Sequence, residues 1–150
     1  MLAAVGSGAL VGLSGCLDAL VPNVDEEGDA LVAELWIYDQ DSDRTEPVAD
    51  THQGHWHGNL PAVPRGSVLS LSAAFRDHDR ETILLGDDEP YQLQARYNGG
   101  THETISVDSH GDHLQLTGEE VGETEIVFQL AESGETVWEA PPISIDVTPA

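Results

Sequence analysis

The chain has 150 residues, a length that suits one domain with one buried core. It carries 28 Asp and Glu against 5 Arg and no Lys, for a formal net charge of -23. Phosphate backbones are bound by clustered Lys and Arg, whereas Arg44, Arg65, Arg76, Arg80 and Arg96 are scattered, so no nucleic-acid partner is expected.

Disorder would need low hydrophobicity as well as high charge, and 39% of the residues here are hydrophobic and fall in periodic runs. The chain should therefore fold. Concentrated salt would screen its self-repulsion, since the Debye length shrinks to roughly 3 Å at 1 M ionic strength. The lysine-free acidic composition resembles that of proteins from halophilic archaea.

Residues 2 to 15 are uncharged and small or apolar, which matches the core of a signal peptide and is too short for a membrane-spanning helix. Leu13, Ser14, Gly15 and Cys16 then resemble the lipobox of prokaryotic lipoproteins. That resemblance implies cleavage before Cys16, a diacylglycerol on its sulfur, and a mature protein held at the outer face of the cell membrane. Cys16 is the only cysteine, so no intramolecular disulfide can form. Residues 16 to 29 mix acids with Pro22 and Gly28 and read as a lipidated tether, leaving 30 to 150 as the domain.

From Ala30 onward, alternation with a period of two dominates, with β-branched and aromatic residues between Gly, Pro, Asn and Asp clusters. In chain order this predicts strands over 31 to 38, 54 to 60, 67 to 75, 91 to 97, 103 to 108, 113 to 117, 123 to 130 and 136 to 147. In the third, Leu69, Leu71, Ala73 and Phe75 share a face; in the seventh, Ile126, Phe128 and Leu130 do. No helical stripe interrupts them, and Pro61, Pro64, Pro90, Pro141 and Pro142 sit where one would break. The segments 66 to 79 and 116 to 127, about a fifth of the chain, resemble strands and turns of bacterial immunoglobulin-like surface domains. The expected fold is all-β, an immunoglobulin-like sandwich of about seven to eight antiparallel strands.

Chemistry is concentrated in histidine. Asp50-Thr51-His52-Gln53-Gly54-His55 and Asp108-Ser109-His110-Gly111-Asp112-His113 share one form: Asp, hydroxyl residue, His, two residues, His. Metal ions need several lone pairs converging at about 2.0–2.2 Å, and imidazole supplies them for Zn, Ni and Cu. On a strand His55 and His57 would project together with Trp56 opposite, and His52, His110, His113 and His102 could join them from loops and a neighbouring strand. Asp50, Asp108 or Asp112 could ligate directly or hold an imidazole through its other nitrogen. His78, between Asp77 and Asp79, reads as a turn residue.

With Cys16 assigned to lipid and Met1 the only methionine, sulfur-ligated copper sites are not expected, and zinc is the first choice, with nickel or copper behind it. The leading expectation is capture or buffering of a divalent metal at the cell surface, with delivery to a membrane transporter; it requires the two histidine windows to meet. The alternative is an immunoglobulin-like contact domain with the histidines spread apart. Protonation of clustered histidines as a pH signal is a third reading. An enzyme is not expected, because His-Glu-x-x-His and Gly-x-Ser-x-Gly are absent, although a small zinc hydrolase or hydratase would use the same ligands.

Overall fold

The structure, a computed structural model, describes residues 31–42 and 45–150. The signal peptide, the lipobox with Cys16 and the tether fall on residues 1–30, outside the described residues. Residues Leu31–Ala150 form one compact unit.

Twelve strands are present among the described residues: β1 (Glu34–Asp39), β2 (Ala49–His52), β3 (His55–Gly58), β4 (Val63–Pro64), β5 (Val68–Arg76), β6 (Thr82–Ile83), β7 (Tyr91–Tyr97), β8 (Ile105–Ser109), β9 (His113–Gly118), β10 (Gly122–Glu132), β11 (Glu135–Glu139) and β12 (Ile143–Thr148). The fold is thus all-β, a two-sheet sandwich, but with more strands than the sequence suggests. The segment expected as one strand over 136 to 147 is two, because Ala140-Pro141-Pro142 lies between them and proline cannot donate to a ladder. Ala49–His52 was not foreseen as a strand: four residues with Asp and His at alternate positions carry no apolar alternation to read.

One sheet runs β3-β2-β1-β5-β9-β8, with β6 on the far end of β5; the other runs β11-β10-β12-β4, with β7 on β10. The order β1-β5-β9-β8 facing β7-β10-β12 is the immunoglobulin order ABED against CFG. The first strand is shared between the sheets: β1 pairs antiparallel with β5, and β4 pairs parallel with β12. That parallel pair departs from the expected all-antiparallel pairing.

Leu35, Ile37, Leu71 and Phe75 from the first sheet meet Leu93, Phe128, Leu130 and Ile145 from the second, each no more than 1% exposed. Burying each contributes roughly 1.5–3 kcal/mol before entropy is counted, so these eight set which face of every strand turns inward. β10 is buried on both faces: Val127, Gln129 and Ala131 are covered as well as Ile126, Phe128 and Leu130. Gln129 Nε2 and Arg96 Nε donate to Glu139 Oε2 at 2.6 and 2.7 Å across that outer face. The Arg96 guanidinium holds the Glu139 carboxyl below the ordinary carboxylate range, with Gln129 adding to it.

Within this frame the hairpin β2–β3 is an addition. It stands between β1 and β4, the two parts of the first strand, and lies outside β1 at the edge of its sheet. No strand of the immunoglobulin order requires it.

Candidate functional site

The hairpin turns through Gln53 and Gly54, both at positive φ (54° and 80°), as a two-residue turn of the type whose twist matches its strands requires. Its register pairs His52 with His55, Thr51 with Trp56, Asp50 with His57 and Ala49 with Gly58. Residues directly opposite in an antiparallel pair share a face, so alternation decides everything else. Ala49 and Thr51 are buried, and Trp56 turns inward with them, its indole N–H donating to Pro141 O at 2.7 Å and its ring 5.9 Å from that of Phe128. Asp50, His52, His55 and His57 are therefore all on the outward face, and the three histidines are exposed.

On that face the His52 and His57 rings stack, with centroids 4.7 Å apart and planes at 18°. His52 Nδ1 lies 3.5 Å from Asp50 Oδ2. At that distance the two are near neighbours but not hydrogen-bonded; a carboxylate that closed to hydrogen-bonding distance of Nδ1 would leave the Nε2 lone pair for a metal, the way metal-ligating histidines are held.

The second window builds a similar unit elsewhere. His110 and His113 stack at 4.9 Å with planes at 13°, and His113 Nδ1 donates to Asp112 Oδ1 at 2.7 Å. His113 sits on β9 opposite Ser72 of β5. His110 lies in the turn joining β8 to β9, its N–H on His113 O.

The two windows do not meet. From β2 to β9 is three strand steps (β2, β1, β5, β9), and the row of His52 and Glu34 is four residues from the row of Tyr38, Ser72 and His113. At about 4.8 Å per strand and 3.3 Å per residue, that separates the windows by on the order of 20 Å, beyond the reach of ligands that must come within about 2 Å of one ion. His102 is farther off, in the loop between β7 and β8, with Nε2 3.0 Å from Glu120 Oε2. Asp108 lies beside the second unit, exposed and paired in register with Gln115, two residues from His113 along β9. Asp87, which the sequence reading did not single out, lies against Gly111 inside the second turn.

Stacked rings do not aim their lone pairs at a common point, and no group of three or more His, Cys, Asp or Glu among the described residues is arranged to hold a metal ion. Two nitrogens on one tetrahedral zinc are about 3.3 Å apart, so each pair, with its ring centroids 4.7 or 4.9 Å apart, would have to tilt to bring both lone pairs to one ion. The side chains of His52 and His113 are 46% and 28% exposed, and rotation about χ1 and χ2 at such positions is a nanosecond motion.

No family model matches the sequence, and no curated protein matches it. Among solved structures the chain is similar to domains 4 and 5 of the S-layer protein SbsC, with 11% identity, 77% of each chain covered and a TM-score of 0.43. At that score the likeness carries no weight for fold or function, and the immunoglobulin assignment stands on the strand order alone.

Proposed function

We propose that this protein is a lipid-anchored module at the outer face of the cell membrane that captures a divalent transition metal, zinc foremost, on the appended hairpin β2–β3. The observation that carries the reading is the register of that hairpin: an element the immunoglobulin order does not need turns Asp50, His52, His55 and His57 to one outward face. Nitrogen donors matter on a surface of net charge -23. Carboxylates on such a surface are occupied diffusely by whatever cations abound, whereas imidazole favours transition metals over alkali and alkaline-earth ions. An exposed site on a mobile pair of side chains both takes up and releases its ion, which suits hand-over to a membrane transporter. The lipobox at Leu13 to Cys16 supports the anchor.

The test is calorimetric titration of the full chain with Zn²⁺ in molar potassium chloride, beside a chain carrying His52→Ala and His57→Ala. Saturable binding weakened at least tenfold by the double substitution is expected. Heat that is diffuse, or unchanged by the substitutions, would overturn the reading. The second reading, an immunoglobulin-like contact domain of the cell envelope without metal, is favoured by the separation of the two histidine windows, and it would then stand.

A further inference from the structure

The outward face of the first sheet has a trough along β5. Ser70, Ser72 and Ala74 share the outward side of that strand, whose inward side is Leu69, Leu71 and Phe75. Their side chains are short, and the strands on either side, β1 and β9, raise larger ones. Trp36 stands opposite Ala74 and Tyr38 opposite Ser72; on the other flank His113 and Gln115 stand opposite Ser72 and Ser70. Tyr38, Ser72 and His113 thus form one row across the sheet. Tyr38 and His113 are two strand spacings apart, about 10 Å, and the run from Ser70 to Ala74 is about 13 Å long. The Arg76 guanidinium closes one end, lying 4.2 Å from the centre of the Trp36 ring. Burial pushes the Tyr38 phenol above its ordinary range against the opposing charge of Arg76, so at neutral pH it is an uncharged donor.

The groups along this trough are half-buried, and the side chains of Tyr38, Ser70, Ser72 and Gln115 make no hydrogen bond among the described residues. His113 has its Nδ1 on Asp112 Oδ1, which leaves Nε2 as an acceptor. None of the side chains lining the trough is a carboxylate, on a chain of net charge -23; the outward Glu34 and Asp50 lie beyond it on one side and Asp108 on the other. Charge therefore selects the partner. An anion is repelled by the molecule as a whole, and a cation finds carboxylates over the rest of the surface, so neither is directed to a strip without them. A chain of uncharged sugar rings matches the strip, with hydroxyls for the serines, the amide and the imidazole, and apolar ring faces for Tyr38. We infer that the trough along β5 binds an uncharged glycan, with one sugar ring seated on Ser72 between Tyr38 and His113. The inference does not rest on metal capture, since His52 and His57 lie on the far side of β1.

The full chain in molar potassium chloride is titrated by calorimetry with cellohexaose, laminarihexaose and mannohexaose, and with the polyanion polygalacturonate. At least one neutral hexaose should bind saturably, and polygalacturonate should not. Ser72→Leu fills the floor of the trough and Tyr38→Ala removes a wall, and each should weaken binding about tenfold or more. Both positions face outward, and the melting temperature checks that each variant folds. Gln115→Ala, a milder change that removes one hydrogen-bonding group, should weaken binding about threefold and keeps the test open if either of the others does not fold. Thr136→Leu, exposed on β11 of the second sheet, should leave the affinity within about twofold. The chain carrying His52→Ala and His57→Ala should bind the hexaose as the parent does, so failure of the hairpin as a metal site leaves this result standing. No binding of any of the three hexaoses, equal binding of polygalacturonate, or undiminished binding in Ser72→Leu would overturn the glycan site. A second copy of the chain seated in the trough would appear in sedimentation equilibrium as a dimer that Ser72→Leu dissociates, and would overturn it as well.

Discussion

A side chain at position 58 would put its Cβ 2.4 Å from Val48 O and 3.1 Å from Ala49 Cα, on a residue whose φ is +90°. Backbone cannot yield as a flexible side chain does, and a non-glycine residue at such an angle is strained before any clash is counted. Gly58→Ala is expected to cost about 2 kcal/mol or more and to lower the melting temperature by several degrees in thermal denaturation followed by circular dichroism. An unchanged melting point would mean that β3 is not held as described. The residue scale is also where the sequence spoke most clearly about the site. His55-Trp56-His57 alternates with a period of two, and Trp56 found both Pro141 O and the Phe128 ring on the inner side. Which residues would stand across from it was not legible. Asp50 and His52 reach the same face only because an unforeseen strand carries them there.

At the scale of elements, the hairpin's own turn is the weakest match between residue and conformation. Gln53 occupies φ +54°, the left-handed region that Asn and Gly enter far more readily than Gln, whereas Gly54 at φ +80° suits its place. Gln53→Asn makes the Asn-Gly pair that such turns prefer, and should stabilise the hairpin by up to about 1 kcal/mol. Hydrogen exchange at the strand amides of β2 and β3 checks this locally: slower exchange is expected there, with β9 and β12 unchanged. Equal or faster exchange would show that Gln53 is not strained. The long strands were legible because nine residues of β5 and eleven of β10 repeat their alternation often enough to be distinguished from chance. The short ones were not. β4 and β6 have two residues each and exist only through the strands they lean on. The break between β11 and β12 was written in Pro141 and Pro142, but apolar residues at Val137, Trp138, Ile143 and Ile145 on either side let the pattern run through it.

For the whole molecule the decisive quantities are topology and charge. The repeated Asp-hydroxyl-His pattern invites a single shared site, because sequence similarity says nothing of where two segments lie in a sheet. The strand order separates them by two intervening strands and makes two units of them. Charge is spread over the whole surface, with 28 carboxyl side chains against 5 guanidinium groups. One Arg96–Glu139 pair is bidentate, at 2.7 and 3.1 Å, which leaves most carboxylates to be neutralised by solvent cations. At about 0.1 M salt the Debye length is roughly 10 Å, so the charges still repel one another across a good part of their separation, whereas at 1 M it is roughly 3 Å and each charge is nearly isolated. Unfolding moves these charges apart, so the repulsion acts on the folded state and its sign is fixed: stability falls as salt is withdrawn. Between molar and 0.1 M potassium chloride the melting temperature is expected to fall by on the order of 10 °C. Micromolar Zn²⁺ should restore part of that loss, since an ion bound only by the folded chain stabilises it in proportion to RT ln(1 + [L]/Kd), and the His52→Ala, His57→Ala, His110→Ala, His113→Ala chain should show the same salt dependence without the zinc effect. Differential scanning calorimetry across that salt range decides the matter. A melting point that is flat or rises at low salt would mean that self-repulsion does not govern this fold, and equal zinc stabilisation in the quadruple variant would assign the effect to carboxylates rather than to imidazoles.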